Sequence, residues 1–440
     1  GPNALTISNA TNTLDGVFGG VTLNLVSADP TKTVSVTVAN DTATAQKAIQ
    51  DFVDSYNTLT NFINQNDSYD PTSQKAGLLL GQQAPNDIQS DLSQVLTSVV
   101  GGVNPKVSDL SALGITLDDH GKLQVDSSKL SNALSGQTAG ITSTDVRRLF
   151  ALDGQSDNLG IQFVSGGDKT VASANPYQVV VTQAATQATF LATQPPPGGP
   201  VVINASNNTF TVTVDGHTSN VITLTPGTYS ATTLAEEVQA EINKDSQVGN
   251  NQLNVTLDSS NKLRFTSQRY GAASQVQIGS GTALSVLGLS GTESGTGQNV
   301  AGYFLVNGVQ EAATGKGQYL TGNAGNANTQ DLEVQVGLTP TQVGSQAQAN
   351  LTVTRGVASQ FDQVLNRYLD PTTGRLKSIN DSFQSRADDI QKQIDFQTQF
   401  MQEQQQSLVE QFTALETTVS QLKTAGGLLG AQLTDLSSGS

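Results

Sequence analysis

The sequence predicts an α+β protein, in which a helical domain ending in a long coiled-coil-like helix carries β-rich domains, one of them inserted into it. Three observations support this prediction. Residues 375–425 contain no Pro or Gly, and their apolar residues recur at gaps of three, four and seven. Residues 41–154 and 356–374 are mostly helical in period. Residues 155–355 instead alternate with a period of two, as strands do.

Composition limits the class of protein. At 440 residues, and with about 150 residues per domain, the chain is expected to hold about three domains. Hydrophobic residues make up 36% and charged residues only 13%. The remainder is Thr, Ser, Asn, Gln and Gly, a composition typical of secreted β-rich or fibrous surface proteins rather than of cytosolic enzymes. Because a net charge of −16 would not neutralise phosphates, we predict no nucleic-acid partner.

Several features of the sequence exclude other classes. The chain has no Cys, which excludes disulfides, thiolate metal sites and Cys nucleophiles. No stretch approaches about eighteen consecutive apolar residues, so we predict no membrane span. The chain begins Gly1-Pro2 without Met, as after protease cleavage, so its start indicates nothing about a native signal or about export.

The first 40 residues are predicted to form a small antiparallel β-rich segment. Apolar and polar residues alternate around residues 5–7, 21–25 and 34–38. Gly16 and Gly19-Gly20 separate the first two strands.

The helical pattern begins at Asp41, which is predicted to cap a helix whose apolar stripe runs to Ile63. Asp70-Pro71 closes that segment. A second helix is predicted to begin at Pro85, a favourable first-turn residue, and to stop at Gly101-Gly102.

A hairpin is predicted next, turning at residues 119–121. Asp126 is expected to cap a short helix that carries Leu130 and Leu134, and residues 146–150 form a further short helix.

Residues 155–355 are predicted to be strand-rich, with a stiff Pro-rich linker at 195–200. Thr233 and Glu236 have the spacing of a capping box that opens one helix. Residues 279–302 are rich in Gly, Ser and Thr and are predicted to be a loop. Strands are predicted at 177–182, 210–214, 221–224, 253–257, 263–266, 303–306, 319–320, 332–336 and 351–353.

The helix predicted over residues 375–425 supplies the candidate site, because a rod about 75 Å long needs neighbours in its own chain or in other copies. Gly426-Gly427 is expected to end it. We call its candidate packing or oligomer interface the apolar stripe: Ile379, Phe383, Ile390, Ile394, Met401, Leu408, Phe412, Leu415, Val419 and Leu422.

The apolar stripe is not uniform along the helix. From Met401 onward the heptad is clear, with Leu408, Leu415 and Leu422 in one column, but its partner column holds Thr398 and Gln405 before Phe412 and Val419. The spacing also slips by one residue between Ile390 and Thr398. This slip disfavours a single unbroken supercoil.

No active site is predicted. His120 and His217 both fall in predicted turns beside Asp and Gly, which favours solvent-exposed turn residues over catalytic ones. The acidic residues near Asp118 do not match the spacing of a calcium loop. Paired carboxylates for glycoside hydrolysis stay open, but no Trp supports a carbohydrate groove. We predict a protein that is not an enzyme, with no catalytic, cofactor-binding or metal site and no cofactor.

Three stretches resemble one known family. These are the helix sequence at residues 49–57, IQDFVDSYN, the stretch GLLLG at 77–81, and the hairpin from Gly114 to Asp126. In this order, and with a Gln-rich terminal helix after them, they resemble the bacterial flagellar filament cap proteins, the hook-associated protein 2 family. The resemblance covers roughly residues 4–150 and 356–436.

The resemblance implies a division of the chain. Residues 1–40 would be a β-rich head remnant and residues 41–154 the first part of the leg domain. Residues 155–355 would be an inserted β-rich head domain, with a ββαββ unit similar to those of hook-associated proteins and flagellin. Residues 356–440 would complete the leg with the long helix.

The resemblance also implies a function. Such a protein is extracellular, is exported through the flagellar secretion apparatus, and caps the distal end of the filament, where it promotes folding and polymerisation of exported flagellin. Its partners would be flagellin, the filament and hook-associated proteins, and copies of itself in a ring of five or six subunits. Adhesion through the head domains, with host or surface glycans as ligands, is compatible with this role.

An alternative function is an extracellular adhesin or tail-fibre-like binding module with a helical stalk. The helix–hairpin–helix segment at 45–134 argues against it, because a stalk does not need that segment. Members of the resembling family also carry an N-terminal helical segment before the point where this chain starts. We therefore predict that the long helix past about Met401 is frayed or borrows contacts from another copy.

Overall fold

A computed structural model describes residues 13–18, 21–27, 41–72 and 74–437, and the statements below concern these residues. The chain divides into two compact units, residues 1–361 and 362–440. The structure confirms the α+β class, with a long C-terminal helix and β-rich parts. The division into four domains stays a prediction.

Near the N-terminus, β1 (Thr13–Phe18) pairs antiparallel with β2 (Val21–Asn24). Gly16 was expected to separate strands but lies inside β1, where the register shifts between Leu14 and Phe18. Glycine in a strand often accompanies such an irregularity. The strands predicted around 5–7 and 34–38 lie outside the described residues.

The first long helix, α1 (Thr42–Asn66), begins as predicted, because a carboxylate oxygen of Asp41 accepts from the Thr44 N–H at 3.0 Å. A short hairpin of β3 (Tyr69–Asp70) and β4 (Lys75–Ala76) follows. The second helix, α2 (Gln83–Thr97), starts two residues before Pro85 and ends before the predicted Gly101-Gly102 stop, because Ser98 already has extended backbone.

The predicted hairpin is confirmed as β5 (Ile115–Leu117) and β6 (Leu123–Val125). The helices α3 (Ser127–Leu134) and α4 (Ser143–Phe150) follow it, and Asp126 caps α3 as expected. The hairpin is fixed to α1 by Asn57, whose side-chain amide donates to the Leu123 carbonyl at 2.9 Å and accepts from the Leu123 N–H at 2.8 Å. The Tyr56 hydroxyl donates to the Gly121 carbonyl at 2.9 Å. Two of the stretches that carry the family resemblance are thus bonded to each other.

Strands dominate residues 152–355, in two groups that we call the first and second β body. In chain order the strands are β7 (Leu152–Ser156), β8 (Ile161–Ser165), β9 (Tyr177–Gln183), β10 (Gln187–Leu191), β11 (Val201–Ile203), β12 (Thr209–Phe210), β13 (Val212–Val214), β14 (His217–Thr218), β15 (Ile222–Thr223), β16 (Gly227–Tyr229), β17 (Leu253–Leu257), β18 (Leu263–Tyr270), β19 (Gln275–Ile278), β20 (Ser294–Thr296), β21 (Ala301–Val306), β22 (Val309–Lys316), β23 (Tyr319–Gly322), β24 (Glu333–Val336) and β25 (Ala349–Arg355). The helix α5 (Ala231–Lys244) lies between β16 and β17.

The first β body is one antiparallel sheet of eight strands, in the order β7-β25-β9-β21-β22-β23-β24-β8. Its core includes Tyr177, Phe304 and Leu351. The sheet curls until its two edge strands meet, since a Cβ added to Gly154 on β7 would lie 2.5 Å from the ring of Phe163 on β8.

The second β body comprises β10 to β20 and α5, and it is inserted between β9 and β21 of the first. The helix α5 packs Leu234, Val238 and Ile242 into a core that includes Phe210 and Phe265. Alternation of buried and exposed residues along β17 and β18 explains why the sequence predicts this hairpin correctly.

Three local predictions in the β bodies are wrong. The capping box of α5 is formed by Ser230 and Thr233 rather than by Thr233 and Glu236, because the extended backbone of Ser230 places the helix start three residues earlier. The loop predicted over 279–302 contains β20, which pairs with β19. His217 lies in β14 rather than in a turn.

The chain then returns to helix with α6 (Val357–Leu369) and α7 (Arg375–Ser437). Within the first compact unit, Phe361 packs edge-to-face against Phe52 of α1, with ring centroids 5.3 Å apart. Phe52 also packs edge-to-face on Phe150 of α4, with centroids 6.4 Å apart. Helices from before and after the β-rich excursion therefore share one aromatic cluster. In the part of the chain that the structure describes, none of the helices has the combination of length and hydrophobicity that a membrane span requires.

Candidate functional site

The candidate site lies on α7, an unbroken helix of 63 residues that would be about 95 Å long. The prediction that Gly426-Gly427 ends the helix is wrong. A glycine stop requires a left-handed residue, and neither glycine has positive φ. Leu429 and Leu433 instead continue the apolar spacing beyond Leu422.

The apolar stripe lies along this helix and is exposed. Ile379 is partly buried, whereas the other nine stripe residues are exposed, from 46% at Phe383 to 74% at Phe412. An apolar surface of this length is uncommon on a soluble monomer and usually marks an interaction site. The structure thus brings the ten residues onto one side of one helix, and their role as an interface stays a prediction.

The opposite side of α7 is polar and stabilises the helix by local bonds. Three pairs spaced by four residues are hydrogen-bonded: Lys377–Asp381 at 2.5 Å, Gln384–Asp388 at 3.0 Å and Gln391–Asp395 at 2.9 Å. Each exposed pair contributes only about 0.2–0.5 kcal/mol. Because these pairs lie away from the stripe, a partner could cover the stripe without breaking them.

Thr398 interrupts the stripe at the point where the spacing slips. Its hydroxyl donates to the Ile394 carbonyl at 2.8 Å. A partner that covered Thr398 would therefore not leave an unpaired hydroxyl, whose burial is costly. Thr398 is a polar residue, but its side chain can be buried at a low cost in free energy.

Phe396 and Phe400 form a second apolar surface that the sequence analysis missed. They are 70% and 53% exposed, are four residues apart, and lie to one side of the stripe. Their spacing in the sequence is the signal that would have revealed them. At this level α7 is apolar on two sides, which suits two neighbouring helices better than one.

The start of α7 is fixed by a polar turn in the second compact unit. A carboxylate oxygen of Asp370 accepts from the Thr372 and Thr373 N–H groups at 2.8 and 2.7 Å. The Arg375 guanidinium lies 5.6 Å from the ring centre of Tyr368, and one of its nitrogens donates to the Tyr368 hydroxyl at 3.2 Å. The stripe therefore begins at a defined point after α6.

Outside α7, the part of the chain that the structure describes has few groupings of side chains that could bind a metal or catalyse a reaction. There, no group of three or more His, Cys, Asp or Glu side chains is placed to hold a metal ion. His120 and His217 are both exposed.

Comparison with known proteins identifies the family of the chain. A family model described as the C-terminus of flagellar hook-associated protein 2 matches residues 2–424. The chain belongs to the flagellar hook-associated protein 2 family. The resemblance predicted from the three sequence stretches is thus confirmed, and it extends through the β bodies.

Individual relatives of this family match shorter parts. The lateral flagellar hook-associated protein 2 of Vibrio parahaemolyticus is 31% identical over 172 residues, which cover 38% of this chain and 37% of that protein. The flagellar hook-associated protein 2 of Salmonella typhimurium is 31% identical over 179 residues, covering 36% of this chain and 38% of that protein. The chain spans less than two fifths of either relative.

A solved structure is also similar. The crystal structure of the D1-D2-D3 domains of the flagellar cap protein FliD from Escherichia coli is 14% identical, with a TM-score of 0.32. The matched region covers 50% of this chain and 59% of the Escherichia coli chain.

Proposed function

We propose that this protein is a subunit of the cap at the distal end of the bacterial flagellar filament, where it promotes folding and polymerisation of exported flagellin. It would act outside the cell, with flagellin, the filament and hook-associated proteins as partners, in a ring of five or six copies. The role is structural rather than enzymatic. Membership of the hook-associated protein 2 family supports the assignment to the flagellum.

The observation that carries the proposal is the exposed apolar stripe of α7. A helix that exposes Met401, Leu408 and Phe412 in the single chain gains stability when these side chains are covered. Full burial of such a side chain contributes about 1.5–3 kcal/mol, so a few of them suffice for association. In the proposed cap the stripe holds subunits to each other or to the filament end.

The first test is mass in solution by light scattering over a concentration series. The whole chain is compared with a version that ends at Gly374, just before α7. A discrete oligomer that becomes monomeric on truncation is the expected result. A monomer in both cases would show that α7 does not assemble this chain by itself.

Point variants separate the stripe from the helix as a whole. Leu408→Gln with Leu415→Gln removes two stripe residues, whereas Thr413→Gln with Thr417→Gln places two glutamines on the opposite side. Helicity measured by circular dichroism should be similar in both variants. We expect the stripe variant alone to lose oligomerisation and to fail to restore motility to cells lacking their own cap protein. Equal loss in both variants would contradict the proposal.

Adhesion through the β bodies stays a prediction. It would be tested by binding of the chain and its α7 truncation to immobilised glycans, where equal binding by both forms is expected.

A further inference from the structure

A cleft lies where the two β bodies meet, and its position is independent of α7 and of the proposed cap function. Its volume is about 520 Å³, within the usual range for a small-molecule site. Arg269 and Tyr270, at the end of β18, line it from the second body. Lys316, Gln318, Tyr319 and Glu333 line it from the first body. Ligand sites occur preferentially at such junctions between folded bodies.

The base of the cleft is fixed by close backbone contact. The Asn299 side-chain oxygen accepts from the Ala272 N–H and the Gly317 N–H, each at 2.9 Å. A Cβ added to Gly271 would lie 2.6 Å from the Gly317 Cα, so the two turns touch directly. Both sides of the cleft are therefore held in place by Asn299, and the cleft exists before any ligand binds.

The cleft also presents polar groups that are not used within the fold. Neither the Arg269 guanidinium nor the Lys316 ammonium has a hydrogen-bond or ion-pair partner among the described residues. Tyr270 and Tyr319 are 38% and 41% exposed, and over the same residues their hydroxyls have no partner. In a chain of net charge −16, a cleft with two unpaired cations is a local exception.

The charges define the chemistry of the ligand. Two cations and the Glu333 carboxylate give the cleft a net charge of about +1, which suits a singly charged anion better than a phosphate dianion. The planar fork of Arg269 matches a carboxylate. Glu333 already accepts from the Thr321 hydroxyl at 3.0 Å and has capacity for a further hydroxyl donor. The tyrosines offer ring faces and hydroxyl donors.

We propose that this cleft binds a small hydroxylated monocarboxylate of the sugar-acid type. Its carboxylate lies against Arg269 and Lys316, its hydroxyls donate to Glu333, and its ring faces Tyr270 or Tyr319.

The test uses the whole chain and titration followed by nuclear magnetic resonance. The probes are glucuronate, its neutral counterpart glucose, and inorganic phosphate. Glucuronate has about thirteen non-hydrogen atoms, so typical ligand efficiency corresponds to a Kd of about 1 mM. Glucose and phosphate are expected to bind at least about tenfold more weakly, since each lacks one part of the match. Absence of saturable glucuronate binding at about ten times this concentration would overturn the proposal.

Variants locate the binding. Arg269→Gln and Lys316→Gln are each expected to weaken glucuronate binding about tenfold, because each removes a charge-assisted hydrogen bond. Arg264→Gln is the matched control, as Arg264 is also exposed on β18 but does not line the cleft. If Arg264→Gln weakened binding as much, or if neither cleft variant did, the proposed site would be wrong. Unchanged amide spectra away from the cleft check that the variants are folded.

Discussion

Replacing Asn57 by Ala should loosen the hairpin of β5 and β6 from α1. Asn57 bonds both backbone groups of Leu123, and Leu123 is only 4% exposed. In the variant, a buried N–H and a buried carbonyl lose their partners, and water cannot easily replace them. The substitution therefore removes the hydrogen bonds between α1 and β6 and leaves the hydrophobic core unchanged.

The magnitude follows from the two bonds. At about 1 kcal/mol each, their loss lowers the local stability by about 2 kcal/mol. Because 1.4 kcal/mol corresponds to a factor of ten, the Leu123 amide should exchange with solvent about 30-fold faster. Ala is a better helix former than Asn, which offsets a few tenths of a kcal/mol.

Amide hydrogen exchange is the suitable assay, since a chain with several folded parts need not unfold in two states. Asn64→Ala is the control: it makes the same change in α1, but Asn64 is exposed and bonds the His120 carbonyl at 3.4 Å and the Gln89 side-chain amide at 2.9 Å rather than Leu123. The control should leave Leu123 exchange within about twofold of the parent protein. Equal exchange in the parent and in Asn57→Ala, or an equal effect of both variants, would refute the reasoning.

Three further predictions concern other parts of the fold. Burial raises the pKa of the Glu293 carboxyl, but hydrogen bonds to the carboxylate lower it by a larger amount, and the largest of these effects comes from the Thr193 hydroxyl. The net result is a pKa of about 2, below the ordinary value of 4.5. The ionised carboxylate therefore stabilises the second β body at pH values above 4.5, and this stabilisation is lost as the pH falls from 4.5 towards 2. Calorimetry should show a melting temperature that decreases over this pH range in the parent protein, and Glu293→Gln should lack this contribution to the decrease. Asn261 has φ of +60°, so Asn261→Gly should keep or raise the melting temperature, whereas Asn261→Val should destabilise by about 1–2 kcal/mol. Gly426→Ala with Gly427→Ala should favour the helix by about 1 kcal/mol per residue and increase helicity by circular dichroism; unchanged helicity would argue against the continuous α7.

The helical part of the fold was largely predictable because its signals are local. Asp41 and Asp126 cap helices where expected, and the hairpin turn at 119–121 follows from short-range residue chemistry. The order of strands in the first β body was not predictable. Its β8 pairs Ile161 with Val336 on β24, and no local pattern specifies a partner so far along the chain.

Errors arose where two local signals compete. Gly426-Gly427 resembles a helix stop, yet the leucines on both sides continue the helical period. The strand β22, with sequence VQEAATGK, was missed because it has few of the β-branched and aromatic residues that mark strands.

The position of the candidate site on α7 was predictable from the sequence, but its exposure to solvent was not. Helical period places the stripe on one side of α7, whereas its exposure depends on what covers it. The alternative of a frayed helix past Met401 is not what the structure shows, since α7 is regular to Ser437. Borrowed contacts from another copy stay a prediction. Phe396 and Phe400 were not predicted, because they lie beside the single stripe that the heptad spacing defines.

The pairing of β7 with β25 has a consequence for how such chains diversify. Leu152, where the chain enters the β-rich region, lies opposite Arg355, where it leaves. The second body repeats this arrangement, because the Thr186 N–H donates to the Gln298 carbonyl at its two connections. Each body is thus a cassette attached by adjacent ends, and insertions of this kind are tolerated when the ends lie close together. Recombination at two neighbouring points could exchange either cassette while the helices keep their own contacts.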